Sequence, residues 1–364
     1  MELRHYIIFA VSTIVLQLFI YCFNRTLYWL FSGKIGHKTR RAIFLFNYFA
    51  ANTVVFLTIF RIQPMFRLSA LILICLLFSA FVSIALALIY RLLKHRVAEQ
   101  RLNPILRALY PIGLFGLLGL SVYNAYVPTV IRYDVSIDKP LSKPLRIGVA
   151  SDLHLGKLFG AKQLDKLAAL FKQENVDLIL MPGDIMDDNV YAYLAENMQP
   201  HLAQLKAPLG VYATLGNHDL FGHQEAIARE IRKAGIEVIM DDAVNVNNDF
   251  VIVGRNDDLL RTRPSTEQIL QKVNTELPVL LMDHRPTEIK KHAELPIDIQ
   301  VSGHAHRGQV FPASLITKMM YPLDYGYEKI GNGHFFVTSG YGFWGIPMRL
   351  GSQSEIFIIN VTGK

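Results

Sequence analysis

Five short stretches carry carboxylates and imidazoles at spacings that can hold a metal ion. They are Asp152-Leu153-His154, Gly183-Asp184-Ile185-Met186-Asp187, Gly216-Asn217-His218-Asp219, Asp283-His284-Arg285-Pro286 and Gly303-His304-Ala305-His306. In extended chain, residues two apart share a face, so Asp152 with His154 and His304 with His306 are each spaced for chelation. Mixed oxygen and nitrogen donors of this kind suit manganese, iron, zinc or a similar divalent ion rather than calcium. Two such ions about 3.5–4 Å apart can clamp a phosphoryl group for in-line attack. Each stretch alone is weak: Asp-x-His and Gly-Asp pairs arise by chance, a lone histidine is more often structural, and Asn-His-Asp usually marks a turn. Their weight lies in where they fall.

Each stretch follows an apolar run that reads as a strand. Residues 145–151, 176–181, 211–215, 279–282 and 297–301 are such runs, and the five stretches stand at their carboxyl ends. Open α/β sheets gather ligands there, so five loops can converge on one crevice. Glycines before Asp184, Asn217 and His304 allow tight turns. Between the early strands, 161–174, 190–205 and 223–234 carry helical patterning, and further short strands are expected at 237–240, 244–246, 250–253, 335–338 and 356–360. Strand–helix alternation followed by many strands predicts one layered α/β domain. There is no internal repeat and no Gly-rich phosphate loop.

Ahead of this domain the chain changes character. Runs at roughly 6–23, 42–60, 68–90 and 108–127 are apolar, free of Asp, Glu, Lys and Arg, and long enough to cross a bilayer as four transmembrane α-helices. Residues 1–127 hold 13 Lys and Arg against 2 Asp and Glu, whereas 128–364 hold 24 against 28. The formal charge of +7 over 364 residues is thus a membrane-topology signal rather than a nucleic-acid footprint, and no nucleic acid is expected as partner. Ten positive residues flank the first and third loops, from Arg25 to Arg41 and from Arg91 to Arg107, against Arg4, Arg61 and Arg67 on the other side. Positive-inside bias puts the ten in the cytoplasm and, with four crossings, both termini outside. The expected organisation is a transmembrane region at 1–127, a Pro-punctuated linker at 128–144 and a catalytic domain at 145–364, lying outside the cytoplasm in the cell (inner) membrane. Gln17, Asn47 and Asn52 inside the spans read as helix–helix hydrogen bonding. The two cysteines, Cys22 and Cys75, lie in apolar runs and offer neither a disulfide framework nor a zinc site downstream.

The set DLH, GDIMD, GNHD, DHRP and GHAH resembles the calcineurin-like metallophosphoesterase superfamily over about residues 145–360. That resemblance implies two mixed β-sheets packed face to face and flanked by helices, with a binuclear site. By motif, Asp152, His154, Asp184 and His306 would hold one metal, and Asp184, as a bridge, with Asn217, His284 and His304 would hold the other. His218 would protonate the leaving oxygen or stabilise the transferring phosphoryl group, with Asp219 orienting its ring. A metal-bridging hydroxide would be the nucleophile, and manganese the favoured metal. The stretch 338–351, Thr-Ser-Gly-Tyr-Gly-Phe-Trp-Gly-Ile-Pro-Met-Arg-Leu-Gly, resembles a narrower, membrane-associated bacterial branch that includes UDP-diacylglucosamine hydrolases.

The expected activity is hydrolysis of a phosphodiester or pyrophosphate, on a lipid-linked or envelope substrate, by a membrane-anchored enzyme. Arg349, beside the Gly-rich loop, is a candidate for substrate phosphate, and the aromatic and Met-rich stretch 311–327 for a lipid tail or the membrane interface. Competing readings are a nucleotide phosphodiesterase merely tethered to the membrane, and a metal-binding receptor or scaffold without turnover. The intact ligand set and His218 weigh against the last.

Overall fold

The structure is a computed structural model that describes residues 3–31, 34–59, 62 and 65–364, with side chains from Thr13 onward. It falls into two compact units, Met1–Leu120 and Ser121–Lys364. The first holds α1 (Leu3–Leu30), α2 (His37–Ile59), α3 (Phe66–Leu93) and most of α4 (Glu99–Tyr126). Three of these, α2, α3 and α4, are long and apolar enough to cross a membrane among the described residues. The first expected span, 6–23, is helical within α1, but its side chains at 6–12 lie outside the described residues, as do those of Arg4 and Arg61. The polar residues of the spans bond each other: the amides of Gln17 and Asn52 exchange hydrogen bonds of 2.9 and 3.2 Å, and Asn47 Nδ2 donates to Asn24 Oδ1 at 2.9 Å.

The second unit continues through β1 (Thr129–Ser136), β2 (Leu145–Val149), α5 (Ala161–Gln173), β3 (Leu178–Pro182), α6 (Tyr191–Ala195), α7 (Gln199–Leu202) and β4 (Val211–Thr214). Then come α8 (Gln224–Lys233), β5 (Glu237–Val238), β6 (Asp242–Val246), β7 (Phe250–Arg255), α9 (Thr266–Leu270), β8 (Val279–Asp283), α10 (Ile289–His292) and β9 (Ile299–Ser302). The last elements are α11 (Ala313–Met320), β10 (Gly326–Ile330), β11 (Gly333–Val337) and β12 (Glu355–Thr362). Two six-stranded sheets form, ordered β1-β12-β2-β3-β4-β5 and β10-β11-β9-β8-β7-β6. Both are mixed: β2, β3, β4 and β5 run parallel, as do β7, β8, β9 and β11, while β12 is antiparallel to β2 and β6 and β10 lie antiparallel at the edges of the second sheet.

Successive side chains of a strand point to opposite faces, and here both faces are covered. Leu178 and Leu180 of β3 and Phe250 and Ile252 of β7 belong to one core shared by the two sheets. Ile179 and Met181 face the helical layer with Leu164, Leu167 and Phe171 of α5 and Ile227 and Ile231 of α8. Val251 and Val253 pack outward on Ile269 and Leu270 of α9.

Two expectations are corrected. The stretch 128–144 is not all linker, because residues 129–136 form β1, paired in parallel with β12. Its prolines at 128 and 140 bracket the strand rather than exclude it, and on its sheet edge only Val135 is buried. The expected helix 190–205 is two short helices, α6 and α7. The break falls at Asn197, whose φ of +48° ends the first of them, and Pro200 starts the second.

Candidate metal centre

All five motif stretches leave the carboxyl ends of parallel strands: β2, β3 and β4 in one sheet, β8 and β9 in the other. Their side chains meet at the seam between the sheets. Asp152, His154 and His306 offer donor atoms within 4.8 Å of one another, as do Asp184, His284 and His304. The individual separations are short: His306 Nε2 to Asp152 Oδ1 3.3 Å, His154 Nε2 to His306 Nε2 3.1 Å, and His284 Nε2 to Asp184 Oδ2 3.2 Å. Asp184 Oδ2 lies 3.7 Å from His154 Nε2, so this carboxylate reaches both groups. Donors that share one ion at bond lengths near 2.1 Å lie about 3.0–3.5 Å apart, and these donors match that spacing.

The local backbone is bent to achieve it. Asp152, His154, Asp184, His304 and His306 all have φ between +47° and +69°. Non-glycine residues in that region cost roughly 1–3 kcal/mol each and collect at functional sites. The glycines matter here mainly for space: a Cβ on Gly216 would run into the Asp184 carboxylate, and one on Gly303 into that of Asp152. Closeness of backbone to ligand, more than turn conformation, demands glycine at these two positions.

Hydrogen bonds then aim the donors. His284 Nδ1 donates to the carbonyl of Pro182 at 2.8 Å, leaving Nε2 for the centre. The His304 amide donates to both Asp152 oxygens at 3.0 and 3.1 Å, and the His218 amide to Asp184 Oδ1 at 2.8 Å. Three buried atoms within the cluster make no hydrogen bond: Asn217 Oδ1, His284 Nε2, which has only the Asp184 carboxylate at 3.2 Å, and His154 Nδ1, which has only that of Asp187 at 3.8 Å. Buried polar atoms are ordinarily satisfied.

The electrostatics of the cluster suit a cation. Burial first, then the neighbouring histidines, lowers His154 to about 3 and His306 well below its usual value; burial and then His284 and Arg285 bring His304 to about 2. These three are neutral, as ligands must be. His284 goes the other way: burial opposes its charging, but Asp184 and then Asp152 and Asp257 raise it to about 10. Burial, against the pull of His284, raises Asp152 to about 6. The raised values of Asp152 and His284 reflect carboxylates crowded together away from water, and a divalent ion between them would relieve that crowding. The residues present therefore fit a metal centre.

Two role assignments change. Asp219 does not orient His218; fully buried, it accepts from the amides of Ile185, Met186 and Gly216 at 3.0–3.1 Å and ties two of the loops together. The partner of His218 Nδ1 is Asp188 at 2.5 Å, one residue past the GDIMD stretch and itself at φ +66°. Arg349 is closed off from solvent rather than open beside the loop. It is buried, donates to the carbonyls of Ser339 and Gly342 at 2.7 and 2.5 Å, and backs His306 Nδ1 at 3.2 Å. A position beside a Gly-rich loop reads as open because the folding of 338–352 over the side chain is not visible in spacing.

Sequence reading also passes over an aromatic collar. The rings of Phe221 and Trp344 lie 5.2 and 6.2 Å from that of His218, and Tyr321 lies 6.0 Å from His304. Phe221, three residues past His218, and Trp344, within 338–351, are the signals that point to it. Two further groupings have ligand spacing: His154 with Asp187 and His218, at the edge of the same centre, and Asp283 with Glu288 and His292. In the Asp283 grouping the place of a metal is taken by Arg255, whose Nη1 lies 3.0, 2.6 and 3.3 Å from its three residues.

Two mixed sheets with a shared carboxylate between two imidazole-rich donor groups define a metal-dependent phosphoester hydrolase. The sequence profile of the calcineurin-like phosphoesterases matches residues 145–308. An uncharacterized metallophosphoesterase of Aquifex aeolicus is 33% identical over 254 residues, which cover 67% of this chain and 95% of that one. A zebrafish (Danio rerio) transmembrane protein with metallophosphoesterase domain is 31% identical over 278 residues, 71% of this chain and 63% of that one. A Helicobacter pylori metallophosphoesterase is 28% identical, covering 73% of each. This chain belongs to the calcineurin-like metallophosphoesterase family, and its apolar helices make it a membrane protein.

Proposed function

We propose that the protein is a membrane-anchored, binuclear phosphohydrolase that cleaves a phosphodiester or pyrophosphate of a lipid-linked or envelope substrate. The observation that carries this reading is the pair of donor groups sharing Asp184, with buried atoms left for ions to satisfy. Asp152, His154, Asp184 and His306 would hold one ion, and Asp184, Asn217, His284 and His304 the other, with manganese favoured. Two divalent ions held there would supply Lewis-acid stabilisation of the phosphoryl group and would lower the pKa of an attacking water.

The chain's own groups do the rest. His218 is partly exposed at the mouth, and its pKa is raised: burial opposes the charge, but Asp188 and Asp184 favour it. A protonated imidazole can stabilise the phosphoryl charge and hand its proton to the leaving oxygen. Asp188 holds the ring and keeps Nε2 free to act. Lipid character in the substrate is supported by exposed apolar groups: Phe221 and Trp344 in the collar, and Leu315, Ile316, Met319 and Met320 on α11. The four-span topology with an extracytoplasmic domain, and a domain boundary near 127 with β1 as the catalytic domain's first strand, complete the proposal. An outward-facing site favours an envelope lipid over a nucleotide-linked one made in the cytoplasm.

The test is hydrolysis of bis-(p-nitrophenyl) phosphate by detergent-purified protein with manganese, with chelator, and with His304→Ala. Bound metal is counted on the same samples. Metal-dependent turnover that disappears in the variant is the expected result. No bound metal would overturn the reading, whereas two bound ions without turnover on a broad ester panel would favour the receptor alternative.

A further inference from the structure

Within the membrane unit, α1, α3 and α4 line a cavity of about 640 Å³, in the size range of small-molecule sites. Ile84, Ala87 and Leu106 give it apolar wall, and Tyr21, Trp29 and Tyr90 give it the aromatic groups that favour the headgroup level of a bilayer. Several uncharged polar groups of the wall bond neighbours within the unit. Thr26 Oγ1 and Ser83 Oγ bond each other at 2.7 Å, Trp29 Nε1 donates to Asn103 Oδ1 at 3.4 Å, and the Tyr90 hydroxyl is held by Glu99.

Arg25 differs. It is the one charged residue lining the cavity, its single hydrogen bond is a 3.5 Å contact with the Tyr21 hydroxyl, and it forms no ion pair among the described residues. A guanidinium offers five donors in a planar fork that matches phosphate oxygens. It stands just past the apolar run 6–23, where phosphates of a leaflet lie, in a unit whose charge is overwhelmingly positive. We propose that this cavity binds an anionic phospholipid, with the phosphate on Arg25 and the first part of an acyl chain along Ile84, Ala87 and Leu106. A soluble phosphate would gain the cation but leave the apolar wall uncovered, so the lipid is the better occupant.

The chain has two tryptophans, Trp29 and Trp344, so Trp344→Phe leaves Trp29 as the sole reporter at the cavity. The full chain with that substitution is placed in phosphatidylcholine nanodiscs, and Trp29 quenching is titrated with acyl-brominated phosphatidylglycerol or phosphatidylcholine. Phosphatidylglycerol should associate about five-fold more strongly, the effect of one cation near a lipid surface. Arg25→Gln should erase that preference and Arg25→Lys retain most of it. Glycerol 3-phosphate in solution should not relieve the quenching. Equal quenching by both lipids, a preference that survives Arg25→Gln, or displacement by glycerol 3-phosphate would each overturn the assignment. If Trp344→Phe does not fold, native mass spectrometry of phosphatidylglycerol adducts makes the same comparison between the chain with both tryptophans and Arg25→Gln.

Discussion

The membrane helices and the metal centre meet the same rule, that a buried polar atom needs a partner, in opposite ways. In the helices the chain supplies both halves: Gln17 with Asn52, Asn24 with Asn47, Thr26 with Ser83, and Ser79 with Tyr110 at 2.6 Å. At the centre Asn217 Oδ1, His284 Nε2 and His154 Nδ1 are buried without a hydrogen bond, and the backbone of Asp152, His154, Asp184, His304 and His306 is held at positive φ. Pairing among uncharged polar side chains marks the region built to stay folded in lipid. Deliberate incompleteness marks the region built to take something from outside, and it is maintained by strain that the surrounding sheets must offset.

The sharpest break of this comparison is Asp184→Asn. Losing the shared carboxylate should cut turnover by roughly 10³-fold or more, since metal-based charge stabilisation is worth several kcal/mol. The metal-free protein should keep its thermal midpoint or gain a few degrees, because a crowded carboxylate is gone. A large drop in metal-free stability would mean that the centre is structural. Next come the two aspartates near His218. Asp188→Asn should lower kcat about 10-fold or more and shift the pH profile of kcat, because removing the carboxylate lowers the His218 pKa. Asp219→Ala should instead destabilise the fold by about 1–3 kcal/mol by stranding three amides, visible in urea unfolding. Equal kinetic and stability phenotypes for the two would undo the distinction.

His292 tests self-sufficiency inside the catalytic domain. Burial lowers its pKa, and its ring is held by Thr266, Gln300 and Arg255. A histidine held neutral contributes stability that is present above the unfolded value near 6.5 and is lost as pH falls below it. The Tm of metal-free wild type should therefore drop more between pH 7.5 and 5 than that of His292→Gln; parallel curves would count against this. The smallest effect is expected from Gln17→Leu, about 0.6 kcal/mol of helix association with turnover unchanged. A loss of activity there would tie the helices to the chemistry.

What can be read in the sequence is what short-range pattern determines. Strands β2, β3, β4, β8 and β9 are covered on both faces, so they appear as unbroken apolar runs, and the motif residues follow directly from their ends. The edge strand β1 is hidden because it has one buried side chain in eight and prolines on both sides. Strand β10, with no fully buried residue, is hidden likewise. Arg349 is misleading in the sequence because its partners, Ser339, Gly342 and His306, come to it only through the folded loop. Asp188 escapes notice because its role is set by one left-handed residue, a choice that side-chain type does not announce.

Strand β12 lies between β1 and β2, so the strand that leaves the last membrane helix has as its sheet neighbour the segment Glu355–Thr362. During synthesis β1 must wait, its amides and carbonyls bare, until nearly the whole domain has emerged. A nascent chain is therefore an open template for foreign strands beside the bilayer. Chaperone demand should concentrate in that interval, and a stall or truncation upstream of Glu355 would release a product fit for proteolysis rather than a weaker enzyme.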